Sequence, residues 1–472
     1  MKNLSIILFF VLLGISYLVP LHYNPWLTFL SEILVFSSCV FLFLAFFKEK
    51  IILPKILIPL FLLSFLPLFQ YFFGQVYFFS HAIINTTYLI TLFLIIVVVF
   101  NIVNKSECEK NYFFIKINWM FVVIGLVNTF LAIYQWLNLD FNTSLVTPLG
   151  GSRPFANFAQ PNNMATFQII AFLGLIYLYL KKKVKFYLFS ILTIIFIFSI
   201  ALTQSRTAVV TLVSLLFVFI VFRKIAHTKV LVYYFFSFIF YFLSSIYLVN
   251  VSNVIAKIFG LNIVNISSSV ERGVSSSGRI DFWIQMYYAI LERPWFGYGW
   301  NQTALAQYQN MEKYPIGVWI TSSHNLLVDI IVWCGIPIGV SFILYFIYII
   351  FSSFLKLKKI RELFAFCMIV TLLVHSMLEY PLHYAYFLIP FGIFIAIILS
   401  ANPSLKFYTF SFRYIAIYSF YLILGLFFVW KDYLLYIEEN HRAIDHSLYN
   451  SNVKFKQKRE SYISDQLNSR SA

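Results

Sequence analysis

The residue best suited to acid–base chemistry in this 472-residue chain is His324. It lies in the stretch SSHN at residues 322–325, where a polar connection meets a long apolar segment. Histidine takes up and releases a proton near neutral pH more readily than other side chains, which suits it to general base catalysis. A helix-capping or interfacial histidine is the alternative. Asn325, which can hydrogen-bond a substrate or the backbone, and Asp329, an ionisable residue in an apolar segment, favour catalysis. We predict that His324 is catalytic and that Asn325 positions the substrate.

Three arginines lie in polar surroundings that indicate an anion site. Arg206 follows the triplet TQS, Arg279 opens a segment of helical periodicity, and Arg153 lies in GGSRP at residues 150–154. The guanidinium group binds phosphate through two parallel hydrogen bonds, and a helix that begins near Arg279 would add the positive end of its dipole. Contact with lipid headgroups explains any one of them equally well. Three on one membrane face favour diphosphate binding.

An amide-rich stretch, FANFAQPNN at residues 155–163, precedes an apolar run. Amides recognise neutral polar ligands such as sugars, whereas helix capping is the alternative use of the same side chains. Pro161 is suited to the first position of the helix that follows. We predict that Asn157 and Gln160 position the substrate.

A second cluster, HSMLEYPLH at residues 375–383, holds two histidines and a carboxylate. Metal binding is the alternative there, but acidic residues are few on this side of the predicted membrane, and neither a D-x-D nor an H-E-x-x-H pattern occurs. We therefore predict no metal and no cofactor. Glu379 and His383 are predicted to position the acceptor or the phosphates.

The elements that must hold these residues follow from composition. The chain is 61% hydrophobic and only 11% charged, whereas about a quarter of a soluble domain is charged. A helix crosses a bilayer with about 20 apolar residues. We therefore predict an all-α integral membrane protein with about 12–13 transmembrane helices. The thirteen apolar runs lie at residues 4–20, 26–47, 56–73, 82–103, 117–137, 162–180, 186–202, 207–222, 230–250, 324–352, 362–378, 384–401 and 414–430.

Basic residues set the orientation of these helices. With the N-terminus inside, and with the tail after residue 430 left out of the count, the inner connections hold 20 lysines and arginines and the outer connections hold seven. This bias is the usual positive-inside signal, so the net charge of +16 needs no nucleic-acid partner. All the candidate site residues then fall on the outer face.

The chain divides into a polytopic membrane domain at residues 1–430 and a short polar tail at residues 431–472. The largest outer loop is predicted at about residues 251–323. Within it, Ile280, Trp283, Tyr287 and Leu291 recur at helical spacing, which predicts an amphipathic helix whose apolar face lies toward the membrane or the bundle. Pro294 ends that helix, and WFGYGW at residues 295–300 is predicted to be an aromatic turn at the interface.

Several stretches together resemble the bacterial O-oligosaccharyltransferases, which glycosylate pilin and other proteins and belong to the O-antigen ligase and polymerase superfamily. The resemblance extends over most of residues 20–400, and RPFANFAQPN is its most specific part, because it favours protein glycosylation. The matching stretches are PLHYNPW (20–26), PLFQYFFG (67–74), RPFANFAQPNNMAT (153–166), LTQSRT (202–207), PWFGYGW (294–300), SHNL (323–326) and HSMLEYPLH (375–383).

The resemblance implies a glycosyltransferase of the bacterial inner membrane whose active site faces the periplasm. The donor would be an undecaprenyl-diphosphate-linked oligosaccharide, and the acceptor a Ser or Thr hydroxyl of pilin or another exported protein. The family's proposed catalytic histidine corresponds to His324, and its diphosphate-binding arginines correspond best to Arg206 and Arg279. The partners implied are therefore this donor, the acceptor protein and membrane lipids.

Three other functions remain open at this point. An O-antigen ligase or polymerase would join the same donor to a sugar hydroxyl. A flippase for lipid-linked sugars is less well supported, because the polar residues lie at one face and no internal repeat is visible. A membrane scaffold would leave the SHN and arginine motifs unexplained.

Overall fold

The computed structural model describes residues 2–22, 26–46, 50–139, 145–149, 151–261, 263–264 and 278–468. The chain forms two units, Met1–Ala416 and Ile417–Ala472, and the candidate site lies in the first. The α-helices of the described residues are α1 (Lys2–Ser16), α2 (Phe29–Leu44), α3 (Ile58–Leu63), α4 (Leu66–Phe72), α5 (Phe79–Val103), α6 (Glu107–Trp136), α7 (Pro161–Leu180), α8 (Phe186–Leu202), α9 (Arg206–Val221), α10 (Arg223–Phe259), α11 (Gly278–Glu292), α12 (Thr303–Gln309), α13 (Leu326–Phe354), α14 (Ile360–Ser376), α15 (Ala385–Leu399) and α16 (Arg413–Asn468).

The prediction of an all-α integral membrane protein is confirmed. Each of the thirteen apolar runs coincides with helix, and the run at 56–73 is divided between α3 and α4. Within the described residues, seven helical segments are long and apolar enough to cross a membrane, and five shorter apolar helices accompany them. The seven are Lys55–Phe72, Phe79–Val103, Glu107–Trp136, Pro161–Leu180, Arg223–Phe259, Leu326–Phe354 and Arg413–Asn440.

The centre of the first unit is formed by α7 and α15. Every residue of α15 is buried, and α7 is buried over most of its length. A helix that is apolar on all sides belongs inside a bundle, and α15 accordingly packs against α5 and α14 while α7 packs against α6, α8 and α14. The amide-rich start of α7 is therefore held in the interior, with Pro161 as its first residue.

One small sheet, which the sequence did not predict, joins distant connections. β1 (Lys50–Pro54) pairs antiparallel with β2 (Phe407–Ser411), and Ile52 lies opposite Thr409. On the other edge of β1, Asn101 of α5 donates to the carbonyl of Ile52 at 2.7 Å and accepts from its N–H at 2.9 Å. The ribbon thus ties the α2–α3 connection to the α15–α16 connection.

A kink in α13 opens a docking place for the aromatic turn at residues 294–300. Gly335 has a φ of 74°, and Pro337 lacks the N–H that would pair with the carbonyl of Trp333. In a regular helix the N–H of Ile336 would donate to the carbonyl of Val332, but here it donates to the carbonyl of Pro294 at 2.7 Å. Two carbonyl groups of α13 are therefore free to accept bonds from another segment.

The turn at residues 294–300 fills that place with backbone hydrogen bonds. The N–H groups of Tyr298 and Gly299 donate to the carbonyls of Val332 and Trp333 at 2.9 and 3.0 Å. A Cβ atom on Gly297 would lie 2.6 Å from the backbone nitrogen of Gly335, closer than real Cβ contacts allow. The predicted interfacial turn is thus a buried joint between backbones, although Trp295 itself remains exposed.

The predicted helix in the large loop exists as α11, and it ends before Pro294. Ile280, Tyr287 and Leu291 form its exposed apolar side, whereas Met286 and Ala289 are buried against the bundle. Of the predicted loop, residues 262 and 265–277 lie outside the described residues, and α10 extends into its first part. In the second unit, the predicted boundary at residue 430 falls inside α16.

Candidate active site

Glu379, in the turn after α14, is the centre of a polar cluster. Its side chain is almost fully buried, at 7% exposure, and both oxygens accept hydrogen bonds. Oε2 accepts from Nδ1 of His324 at 2.7 Å and from Gln160 at 3.3 Å. Oε1 accepts from Nη2 of Arg279 at 2.5 Å and from Asn162 at 3.3 Å. One carboxylate therefore brings together α7, α11, α14 and the turn before α13.

The electrostatics of this cluster favour the ionised form of Glu379. Burial alone would raise the pKa of this carboxyl group, but the hydrogen bond from His324, the charge that His324 carries when protonated and the charge of Arg279 outweigh it. The net result is a pKa below the ordinary value of 4.5. Glu379 is thus a carboxylate at neutral pH and accepts bonds without donating.

The backbone at His324 is in the left-handed region, with a φ of 60°. Such a conformation costs about 1–3 kcal/mol in a non-glycine residue, so the surroundings must impose it. The buried side chain of Asp329, which is 1% exposed, holds His324 in this conformation. Its carboxylate accepts from the N–H of Ser323 at 2.9 Å and from the hydroxyl of Ser322 at 2.6 Å, and that hydroxyl accepts from the N–H of His324. Asp329 therefore fixes the turn that presents the histidine.

The imidazole of His324 lies between two aromatic rings. Phe282 of α11 stacks on it at 5.9 Å between centroids, and Tyr380 meets it edge-on at 5.2 Å. Trp283 donates from its indole nitrogen to the carbonyl of Ser323 at 3.0 Å. The side chain remains 24% exposed, and within the described residues its Nε2 has no hydrogen-bond partner. The ring is thus held through Nδ1 and leaves Nε2 accessible.

α11 presents an arginine to the same cluster. Arg279, Phe282 and Trp283 follow at spacings of three and four residues, so they share one side of the helix. Only one of the five N–H donors of Arg279 is bound to Glu379, and the side chain is 30% exposed. The sequence pattern grouped Trp283 with Ile280, Tyr287 and Leu291, which are exposed, and it missed Phe282.

Arg206 is linked to the cluster through Ser205, the residue before it in the chain. Ser205 caps α9, and its hydroxyl donates to the amide oxygen of Asn162 at 2.7 Å. Asn162 in turn donates to Glu379. Arg206 follows Ser205 directly, as the exposed first residue of α9.

The hydrogen bonds of one predicted residue, Asn157, lie outside this cluster of contacts. Asn157 uses its amide to hold the loop before α7, because it donates to the carbonyls of Leu18 and Leu145 and accepts from the N–H of Thr147. Arg153 lies in the same loop and is partly buried. These hydrogen bonds of Asn157 do not reach Glu379 or His324.

Asn325 and His383 lie beside the cluster without joining it. The side chain of Asn325 caps α13 by accepting from the N–H groups of Leu327 and Val328. The ring of His383 contacts Trp333 and Tyr380 at 5.5 Å each, and burial lowers its pKa, which favours the neutral form. Asn325 therefore acts here as a helix cap.

Sequence reasoning found the central residues but not the bonds between them. It gave Glu379 a substrate-positioning role, whereas the buried carboxylate contacts the histidine directly. It passed over Asn162, Ser205 and Phe282. Asn162 lies one residue after the helix-starting Pro161, a position that points into the bundle, and this was the available signal. In the described ranges, no group of three or more His, Cys, Asp or Glu side chains is arranged to hold a metal ion.

Comparison with known proteins adds the family context of this geometry. A family model described as O-antigen ligase matches residues 191–343, which include Arg206, Arg279 and His324. A second, described as virulence factor membrane-bound polymerase, C-terminal, matches residues 363–465.

Two curated proteins of Acinetobacter baylyi are similar over almost the whole chain. A general O-oligosaccharyltransferase is 34% identical over 440 residues, which are 92% of this chain and 77% of that protein. A ComP-specific O-oligosaccharyltransferase is 29% identical over 473 residues, which are 98% of this chain and 84% of that protein.

Proposed function

This chain belongs to the bacterial O-oligosaccharyltransferases, as its motifs predicted, and from that membership we propose its reaction. The protein transfers a preassembled glycan from undecaprenyl diphosphate to a Ser or Thr hydroxyl of pilin or another exported protein. The reaction takes place at the periplasmic face of the bacterial inner membrane. The observation that carries the proposal is the His324–Glu379–Arg279 cluster, because it combines a base with a cation at one place.

In the proposed step, Nε2 of His324 accepts the proton of the acceptor hydroxyl. The hydroxyl oxygen attacks the anomeric carbon of the first sugar, and the bond from that carbon to the diphosphate oxygen breaks. The electron pair of this bond leaves with undecaprenyl diphosphate. A single displacement of this kind inverts the anomeric configuration.

Glu379 acts on the reaction through His324 and is a positioning residue. Its carboxylate accepts the Nδ1 proton, so the neutral imidazole has its basic lone pair on Nε2. The same carboxylate stabilises the imidazolium ion that forms when the proton is taken up. The arrangement corresponds to the role of the aspartate in a serine protease triad.

Arg279 and Arg206 supply the charge for the leaving group, and Arg153 assists from the neighbouring loop. Within the described residues Arg279 donates one hydrogen bond, to Glu379, and its side chain is 30% exposed, so we assign its other N–H groups to phosphate oxygens. A fixed donor of this kind contributes about 3–4 kcal/mol to transition-state stabilisation. Gln160, which donates to Glu379, positions the sugar and the acceptor together with Asn325 and His383, which lie beside the cluster. Asn157 supports the loop that holds Gln160.

The decisive experiment measures the intact mass of pilin and of other periplasmic proteins in a deletion strain. Complementation with the wild type should restore a glycan-sized mass increment, whereas His324→Ala should not, although the protein inserts normally. His81→Ala serves as the control, because that histidine is exposed at the start of α5 and takes no part in the cluster. Normal transfer by the His324→Ala protein would disprove the base assignment.

A second candidate function is supported by the O-antigen ligase model that matches residues 191–343. The same cluster would then transfer the glycan to a sugar hydroxyl of a lipid-linked saccharide. In that case, deletion of the gene changes the surface polysaccharide and leaves every protein mass unaltered.

A further inference from the structure

A second charged region lies at the other end of the helices that form the Glu379 cluster. α7 begins next to Asn162 and is followed by Lys181, whereas α14 begins with Ile360 and ends just before Glu379. At a rise of about 1.5 Å per residue, the 20 residues of α7 span about 30 Å. The second region is therefore distinct from the candidate active site.

A cleft of about 330 Å³ opens there between the first turns of α6, α10 and α14 and the end of α7. Five of the lining residues are basic and one is acidic, which leaves a formal excess of four positive charges. The N-termini of α6 and α14 add their partial positive charges to the same space. The basic residues are Lys181, Lys224, Lys358, Lys359 and Arg361, and the acidic residue is Glu107.

Glu107, the only acidic residue that lines the cleft, already pairs with Arg361 and Lys359. Arg361 is 1% exposed, and it donates to Glu107 at 3.3 Å and to Asn111 at 2.9 Å. Lys359 approaches the same carboxylate at 2.8 Å. The buried Arg361 also lies 3.4 Å from Glu362. The carboxylates thus fix the wall of the cleft and do not neutralise its remaining lysines.

The other three lysines are left with uncompensated charge. Across the described residues, Lys181, Lys224 and Lys358 form no salt bridge, although Lys181 lies over the ring of Tyr177. Burial and the positive charge of Arg361 lower the pKa of Lys181, and Glu107 only partly opposes them. An anion in the cleft would remove this repulsion.

We propose that this cleft binds a phosphate group, carried either by an anionic lipid headgroup or by a soluble phosphate compound. A phosphate group presents several strong acceptor oxygens to converging lysines, which serve as point charges for it. The volume is at the lower end of the range for small-ligand sites, so the cleft accommodates a headgroup or a diphosphate. Positive connections that merely orient the chain need neither a walled cleft nor a buried arginine.

The test compares two double variants that remove equal charge from this end of the molecule. The first double variant, Lys224→Gln with Lys358→Gln, removes two exposed lysines from the lining of the cleft. Lys182→Gln with Lys183→Gln removes two exposed lysines of the α7–α8 turn that do not line it. All four positions are exposed, so both proteins should fold, and size-exclusion chromatography checks this.

Binding is measured on the purified full chain with two kinds of probe. Native mass spectrometry follows binding of phosphatidylglycerol relative to phosphatidylcholine, and calorimetry follows binding of inorganic diphosphate. We expect the wild type to bind one probe, the cleft variant to bind it about tenfold more weakly, and the control to match the wild type.

The two probes distinguish the source of the phosphate. Selective binding of phosphatidylglycerol identifies a lipid headgroup, and binding of diphosphate without lipid selectivity identifies a soluble compound. An equal loss in both double variants would show diffuse surface attraction and overturn the proposal. Failure of the wild type to bind either probe would also overturn it.

Discussion

Among single side chains, Glu379 has the largest influence on the geometry of the proposed base. It is buried, it accepts hydrogen bonds from four side chains, and two of these carry the chemistry proposed for the site. Its short bond to Nδ1 of His324 selects the tautomer whose Nε2 accepts a proton. The same carboxylate restrains Arg279 in a position where its remaining donors are exposed. Glu379 thus couples the base to the cation.

Replacing Glu379 with glutamine keeps the size of the side chain but removes its charge. We expect the rate of glycan transfer to fall by roughly 10²–10⁴-fold, because the amide neither fixes the tautomer nor stabilises the imidazolium ion. The measurement is single-turnover transfer by the purified protein. Glu312→Gln is the matched control, since Glu312 is exposed in the connection between α12 and α13. A Glu379→Gln protein with normal turnover would refute the positioning role.

The depressed pKa of Glu379 predicts how stability depends on pH. Because the folded-state pKa lies below the unfolded value, the carboxylate stabilises the fold fully above about pH 4.5 and ceases to do so as the pH falls through the folded-state pKa. The wild type should therefore keep a higher melting temperature than Glu379→Gln from pH 8 down to about pH 5, because Glu379 stays ionised throughout that range. The difference should shrink only at lower pH. Thermal unfolding in detergent across pH 3.5–8 measures it, and a difference that vanishes already near pH 6 contradicts the assignment.

Among the elements, α13 determines where the histidine stands. Its first turn contains Asp329, which imposes the left-handed backbone of His324, and its kink at Gly335 receives the turn at residues 294–300. Because α11 is joined to that turn, the kink also fixes the helix that supplies Arg279 and Phe282. The two sides of the proposed site are thus assembled on one irregular helix.

Substitution of Gly335 with alanine should damage both stability and transfer. The positive φ costs about 1–2 kcal/mol in a residue with a side chain, and a Cβ atom would press against the backbone of Trp295 and Phe296. We expect a loss of about 2–4 kcal/mol in unfolding free energy and a fall in transfer rate. Gly317→Ala is the control, because no atom lies within 4 Å of its Cβ position. Equal melting temperatures for the two variants would argue against a strained joint.

For the whole molecule, the sequence predicts the helices, which depend on local hydropathy. It does not predict the contacts between segments that are distant in the chain. The apolar runs gave the helices, since bilayer length is a local constraint, and charge bias placed His324, Arg279 and Glu379 on one face. Their direct bonds join residues 55 and 100 positions apart, which no local pattern encodes. Asn157 illustrates the limit. Its amide matched the pattern of a ligand-binding residue, yet the fold uses it to hold backbone atoms.

The β1–β2 ribbon has a consequence for the biogenesis of the protein. Thr409 follows its partner Ile52 by more than 350 residues. At a synthesis rate of about 5–20 residues per second, β1 waits roughly 20–70 seconds for β2. Asn101 pairs with one edge of β1, so the other edge stays open until the chain beyond α15 has been synthesised. The ribbon therefore closes late in synthesis, when only α16 and the residues after it remain to be made.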